Sequence, residues 1–212
     1  MLSRSQFAII LGFAIVLGII AALVDIPFWI LIVVILLITM AVSNLPIMIN
    51  LYLTDNMKKV ERFLEARLNQ PIFHFYYALA NEDDFQVEKA LRDVREKYKK
   101  GHYYTIYSVT YAAYKGKLVE EKDVIAKIKQ PALRLYYEGL LAIEEEELER
   151  ALQLAKEQKK PWMKEAILAE VAGRRGERDL EIKHQQEAIR LTHGLQRYLL
   201  VKKYGVAGET RG

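Results

Sequence analysis

From Phe7 to Leu45 almost every residue is apolar, and only one charge, Asp25, together with Pro27, interrupts the run. A single helix of that length would rise about 58 Å at 1.5 Å per residue, roughly twice the hydrocarbon thickness of a bilayer. Tilt does not absorb such an excess. A continuous helix would also bring Asp25 near the bilayer centre, at a cost of about 2.5–3.5 kcal/mol. Dividing the run at Asp25-Ile26-Pro27 removes both difficulties. Residues 7–24 and 28–45 then supply about 18 residues each, just enough for a span. Pro27 is tolerated in the first turn of a helix, Asp25 can cap that turn, and Phe28 and Trp29 fall at headgroup depth. The sequence therefore predicts a two-helix transmembrane hairpin within residues 1–54. A cleaved secretory signal fits less well, because the apolar run is too long, a second one follows, and Ala21-Ala22-Leu23 is a poor cleavage site.

Orientation follows from the basic residues. Arg4 precedes the first apolar segment, and Lys58, Lys59, Arg62 and Arg67 follow the second, whereas the turn carries no Lys or Arg. By the positive-inside rule both termini are expected in the cytoplasm of a multi-pass protein. The compact hairpin and the lack of a targeting signal suggest a bacterial plasma membrane. The absence of Cys fits a reducing compartment. Within the hairpin, Ala14, Gly18 and Ala22 form a small-residue stripe suited to close helix packing. Thr39, Ser43, Pro46 and Asn50 share a face of the second segment, with Asn44 beside it, and polar groups at this depth need partners. Packing within the hairpin and docking to another integral membrane protein are both open readings of these residues.

The rest of the chain reads as helical. Alternating β-branched runs and Asn-Gly or Asp-Gly turns are missing, and the chain has only 5 Pro. Residues 55–70 read as a juxtamembrane helix or linker, 71–204 as a helical domain, and 205–212 as a flexible tail. Pro71, Pro131 and Pro161 each stand where a helix would start. Four segments read as helical hairpins, with turns expected near Asp84, Gly116, Glu146 and Gly176, spaced by about 30 to 32 residues. A further helix, Leu195 to Tyr204, would close the stack. Apolar stripes recur at helical spacing in Val87, Leu91 and Val94 and in Leu148, Leu152 and Ala155.

In the third segment Leu135 holds an early large position, Gly139 and Ala142 small ones, and Ala151 a small position in the second helix, with Pro161 following. The fourth offers Ala169, Ala172, Gly176 and Ala188, and the first Ala78 and Ala90. The second has Gly116 in its turn but Val109 where a small residue belongs. With these residues the stretch from Pro71 to Thr192 resembles the tetratricopeptide repeat family, in units shorter than the usual length of about 34 residues. The resemblance implies an α-solenoid of about four hairpins and recognition of a protein or peptide in a groove lined by the first helix of each. Tyr103, Tyr136, Glu170 and Arg174 stand at the positions that face the groove in that family.

Tyrosines crowd the first helices, and Tyr103, Tyr107, Tyr111 and Tyr114 share one face. They suit packing between repeats, with hydroxyls at the rim, and equally an aromatic binding groove. The acidic run Glu144–Glu147 lacks the pattern of a calcium loop and fits a helix start. His74, His102, His184 and His193 have no metal-ligand spacing. There is no glycine-rich phosphate loop, nucleophile elbow or Cys nucleophile. The net charge of +4 comes from bases interleaved with acids, with no nucleic-acid module. Neither an enzyme nor a cofactor or metal protein is expected. The sequence suggests a membrane-anchored adaptor or scaffold for a protein client, or alternatively an accessory subunit of a transporter or other integral complex docking through its spans.

Overall fold

The computed structural model describes residues 4–23, 27–98 and 102–205, and it divides into two compact units, Met1–Leu53 and Thr54–Gly212. Every element among the described residues is helical.

The first unit holds α1 (Arg4–Leu23) and α2 (Phe28–Met48), which pack against each other, and a π-helical turn, Ile49–Leu53. Pro27 stands immediately before α2, and its carbonyl accepts from the Ile30 N–H at 2.9 Å. Neither helix has one polar and one apolar face. Leu11, Phe13, Ile15, Val16 and Ile19 are all exposed, and at about 100° per residue they cover roughly 200° of the circumference of α1. Trp29, Ile32, Val33, Leu37 and Leu45 are exposed on α2 and cover roughly 220°.

The expectation of a transmembrane hairpin with spans at 7–24 and 28–45 is corrected here. Among the described residues no helix is long and apolar enough to cross a membrane. The multi-pass plasma-membrane location with both termini cytoplasmic fails on the same finding; contact with membrane lipid depends on surface rather than on length and does not fall with it. The turn at Asp25 and Ile26 lies outside the described residues.

The second unit begins with α3 (Met57–Glu65), started by Asn56, whose side chain accepts from the Lys59 N–H at 3.0 Å. Helical pairs follow. The first is α4 (Pro71–Ala80) with α5 (Asp84–Tyr98), and the third is α8 (Pro131–Glu144) with α9 (Leu148–Glu157). The fourth is α10 (Pro161–Arg174) with α11 (Arg178–Arg190). In the second pair α6 (His102–Lys115) is followed by a 3₁₀ turn, Leu118–Glu121, and the short α7 (Lys122–Ile125) in place of a full second helix. The β-branched Val119, Val124 and Ile125 weaken helix formation there. Leu118, Ile125 and Ile128 nevertheless fill the space, buried against Val109, Ala112 and Leu141. Pro71, Pro131 and Pro161 each occupy a first helical turn, where the missing N–H costs nothing.

The four pairs turn in the same way. Glu82, Gly116, Glu146 and Gly176 all take the left-handed conformation, with φ of 54°, 63°, 61° and 74°. The next N–H in each case donates five residues back to a buried alanine carbonyl. These bonds are Asp83 to Ala78 (3.1 Å), Lys117 to Ala112 (2.9 Å), Glu147 to Ala142 (2.8 Å) and Glu177 to Ala172 (2.9 Å). With the shorter bond from each left-handed residue, this is a complete Schellman cap. The packing of the pairs is compatible with a helical solenoid.

Gly139 marks a close approach between the first helices α8 and α10. A Cβ there would lie 2.7 Å from Ile167 Cδ1 and 3.2 Å from its Cγ1. Ile167 is fully buried and has nowhere to swing. Gly139→Leu is therefore expected to lower stability by about 1–3 kcal/mol through overpacking, as read by thermal or denaturant unfolding. A neutral result would contradict this α8–α10 contact. Gly176→Val has free space around it but the wrong backbone conformation, and is expected to cost about 1–2 kcal/mol. Glu146→Gly should cost nothing or stabilise, because it relieves the same strain.

Candidate functional site

The first helices, α4, α6, α8 and α10, are joined by aromatic contacts. Phe75 and Tyr76 meet Tyr107 with ring centroids 5.2 and 5.5 Å apart. The Tyr137 hydroxyl shares a 2.7 Å hydrogen bond with Thr110 Oγ1, linking α6 to α8. Tyr136 meets Trp162 at 5.6 Å, linking α8 to α10. Tyr111 and Tyr114 turn towards the first pair, donating to Glu88 at 3.0 Å and Asp84 at 2.7 Å. Burial and the Asp84 carboxylate push the Tyr114 hydroxyl up to about 12. Much of the tyrosine enrichment thus packs repeat against repeat, with hydroxyls at the rim.

The acidic run also has a structural role. Glu144 accepts the backbone N–H groups of Leu118 (2.9 Å) and Val119 (3.2 Å), capping the irregular segment of the preceding pair. Nothing in the local pattern of four glutamates announces a partner about 26 residues away in the chain.

The last helix, α12 (Gly194–Tyr204), does more than cover α11. It packs against α11 and also against α3 and α4. The Gly194 N–H donates to the Thr54 carbonyl at 2.7 Å, and His193 Nδ1 lies 2.6 Å from Asp55 Oδ1. Glu61 accepts from the Tyr198 hydroxyl (3.0 Å) and from Lys202 Nζ (2.9 Å), and Lys202 also reaches Asn81 at 3.2 Å. Tyr198, Leu200 and Val201 are buried. The second unit is therefore closed: its final helix is seated against its first two. Sequence reasoning places a helix here but misses this return, because its contacts join residues about 140 positions apart.

Around the end of α12 the structure gathers the best candidate site. Lys203 Nζ pairs with Glu170 on α10 at 2.5 Å. Burial works against the Lys203 ammonium, yet Tyr204 and Glu170 raise it above its ordinary value. The Tyr204 hydroxyl is buried and has no hydrogen-bond partner among the described residues. It feels Tyr136, Glu170 and Glu181, and burial drives its titration well upward. Burial does the same to Tyr136. Arg174, one turn beyond Glu170, is exposed. Of the four residues expected to face a groove, Tyr136 and Glu170 are thus brought together beside Tyr204, and Arg174 shares the Glu170 face of α10. The Tyr103 side chain lies outside the described residues.

A second polar place, an open depression of about 500 Å³ between α10 and α11, is lined by Glu165, Lys183, His184, Gln186, Glu187 and Arg190. Its charged groups are largely engaged with each other: His184 Nδ1 lies 2.6 Å from Glu165, and Arg190 clasps Glu187 at 2.6 and 2.7 Å. In the first unit, Thr39 Oγ1 donates to the Ile35 carbonyl at 2.8 Å and Asn44 to the Met40 carbonyl at 2.7 Å, so each satisfies a polar group on its own helix. Ala14 and Gly18 are half-buried on α1, and a Cβ added at Gly18 would meet nothing within 4 Å. The side chains of Ala22, Ser43 and Asn50 lie outside the described residues. No family model, curated protein or solved structure matches the chain.

The Glu61 network gives the closure a pH signature. Burial pushes Glu61 up, but the hydrogen bonds from Lys202 and Tyr198 and the Lys202 charge outweigh it and hold the carboxylate below its ordinary value. A carboxylate depressed on folding stabilises the fold above its unfolded value, about 4.3, and that contribution is lost as pH falls through the folded value. Unfolding midpoints measured between pH 7 and pH 3 should fall on acidification, and Glu61→Gln should flatten part of that fall. An unchanged slope would show that Glu61 plays no part in it.

Proposed function

We propose that the second unit is a non-enzymatic adaptor that binds a segment of a protein client on the first-helix surface, beside the end of α12. The observation carrying this reading is the shared turn. Four hairpins capped alike present their first helices in series, as a tetratricopeptide-like array does, and on α10, the last of them, exposed Arg174 stands one turn from Glu170, which pairs with Lys203. A charged rim around an aromatic centre is the composition of an interaction hot spot. In the Glu165–Arg190 depression His184 pairs with Glu165 and Arg190 with Glu187, which favours a binding role over catalysis there. A docking role through membrane spans is not retained, since it rested on the spans corrected above.

Tyr136 and Arg174 are expected to separate stability from binding. Tyr136 is packed between Tyr137 and Trp162, so Tyr136→Ala should lower stability by about 2–5 kcal/mol. Arg174→Ala touches no packing, and should leave the melting temperature unchanged while weakening client binding by about 2 kcal/mol, a thirty-fold loss. The test is a photo-crosslinking residue placed at position 174 of the full chain in cells, followed by titration of the captured client. A chain that gives no discrete product, or an Arg174→Ala variant that binds its client normally, overturns the proposed site.

A further inference from the structure

The first unit poses a separate problem. Between Gln6 and Asp55 the only charged residue is Asp25. Large apolar side chains stand exposed over more than half of each helix, including Phe13 (52%) on α1 and Leu36 (63%) on α2. A contiguous apolar surface of this extent does not persist in water uncovered. The shape of the exposure says what covers it. A protein partner covers one patch framed by a polar rim, and here, among the described residues, the only polar side chain on the exposed arcs is Asn44. A second copy would meet one face of the pair and leave the outer faces as they are. A helix apolar all round belongs either in a protein core or in a hydrocarbon medium, and the core of this unit is only two helices thick.

We propose that lipid acyl chains are the medium that covers α1 and α2. Contact with a lipid phase is a property of surface and is distinct from crossing it, which depends on length. Two further features fit a lipid surface. Trp29 and Tyr52, at the two ends of the α2 segment, are exposed, and amphipathic aromatics favour the headgroup level. The polar groups of Thr39 and Asn44 are turned back onto their own helix carbonyls, as hydrocarbon demands of any hydrogen-bonding group.

The chain has no Cys, which makes a direct test clean. Full-length Phe13→Cys and Leu36→Cys variants carrying an environment-sensitive fluorophore are mixed with vesicles of phosphatidylcholine, with or without phosphatidylglycerol. The expected result is co-flotation with vesicles, a blue shift at both positions, and quenching at both by spin-labelled acyl chains. Phe13→Lys with Leu36→Lys should lose most of the flotation while the helical signal and melting of the second unit stay unchanged. Three outcomes overturn the proposal. The chain can remain in the aqueous fraction; it can form an oligomer whose labels are shielded from lipid-borne quenchers; or one position alone can be quenched while a protein covers the other. None of these bears on client binding at Arg174.

Discussion

The second unit is organised by one hydrogen bond made four times, from the N–H after a left-handed residue to the carbonyl of a buried alanine. The alanines at 78, 112, 142 and 172 end each first helix at the same depth. Because the carbonyl must be reached from a residue five positions on, the chain turns sharply out of each first helix at the same point. A larger side chain at the alanine would push the returning segment away, and a residue unable to take positive φ would break the reversal. Two of the four turns use Glu in a conformation that costs a non-glycine residue about 1–2 kcal/mol. The fold accepts that cost at Glu82 and Glu146, so the turn geometry is imposed by packing rather than by local preference.

Closure by α12 follows from the same geometry. A solenoid ends in an apolar face that must be covered. Here one helix covers both the last pair and the first, and its polar groups find partners on both sides. Glu61 takes Tyr198 and Lys202, and Glu170 takes Lys203. The buried Tyr198 hydroxyl is tolerated only because Glu61 accepts from it. An array of helical pairs that returns on itself leaves a shorter open first-helix surface than a linear one, and the site proposed near Arg174 lies at its α10 edge.

Much of the second unit was legible because its signals are local. Pro71, Pro131 and Pro161 mark helix starts, Gly116, Glu146 and Gly176 lie at turns, and Gly139 signals a close approach, each within one or two turns of helix. The missed features are long-range. The return of α12 onto Thr54, Asp55 and Glu61 leaves no periodicity to read. Glu144 reaches Leu118 and Val119 across a repeat boundary, and the tyrosine face of α6 is used against Asp84 and Glu88 rather than left as a groove wall. A tyrosine stripe reveals which face is buried, but not which neighbour its hydroxyls will find. The broken second helix after Gly116 is a mixed case: its β-branched residues weaken the helix, while Leu118, Ile125 and Ile128 fill its place from a 3₁₀ turn and a short α-helical turn.

The two units reach opposite ends of the same balance. In the second, apolar side chains are interleaved with charge at helical spacing, so folding hides the first and presents the second, and few large apolar residues such as Phe85, Val119 and Leu180 are left outside. In the first, no arrangement of two helices could do so, because there is almost no polar surface to present. Pairing α1 with α2 buries one strip of each and exhausts what the segment can do by itself. Its remaining surface must be matched by its surroundings, whereas the second unit presents a surface in which charge is already interleaved.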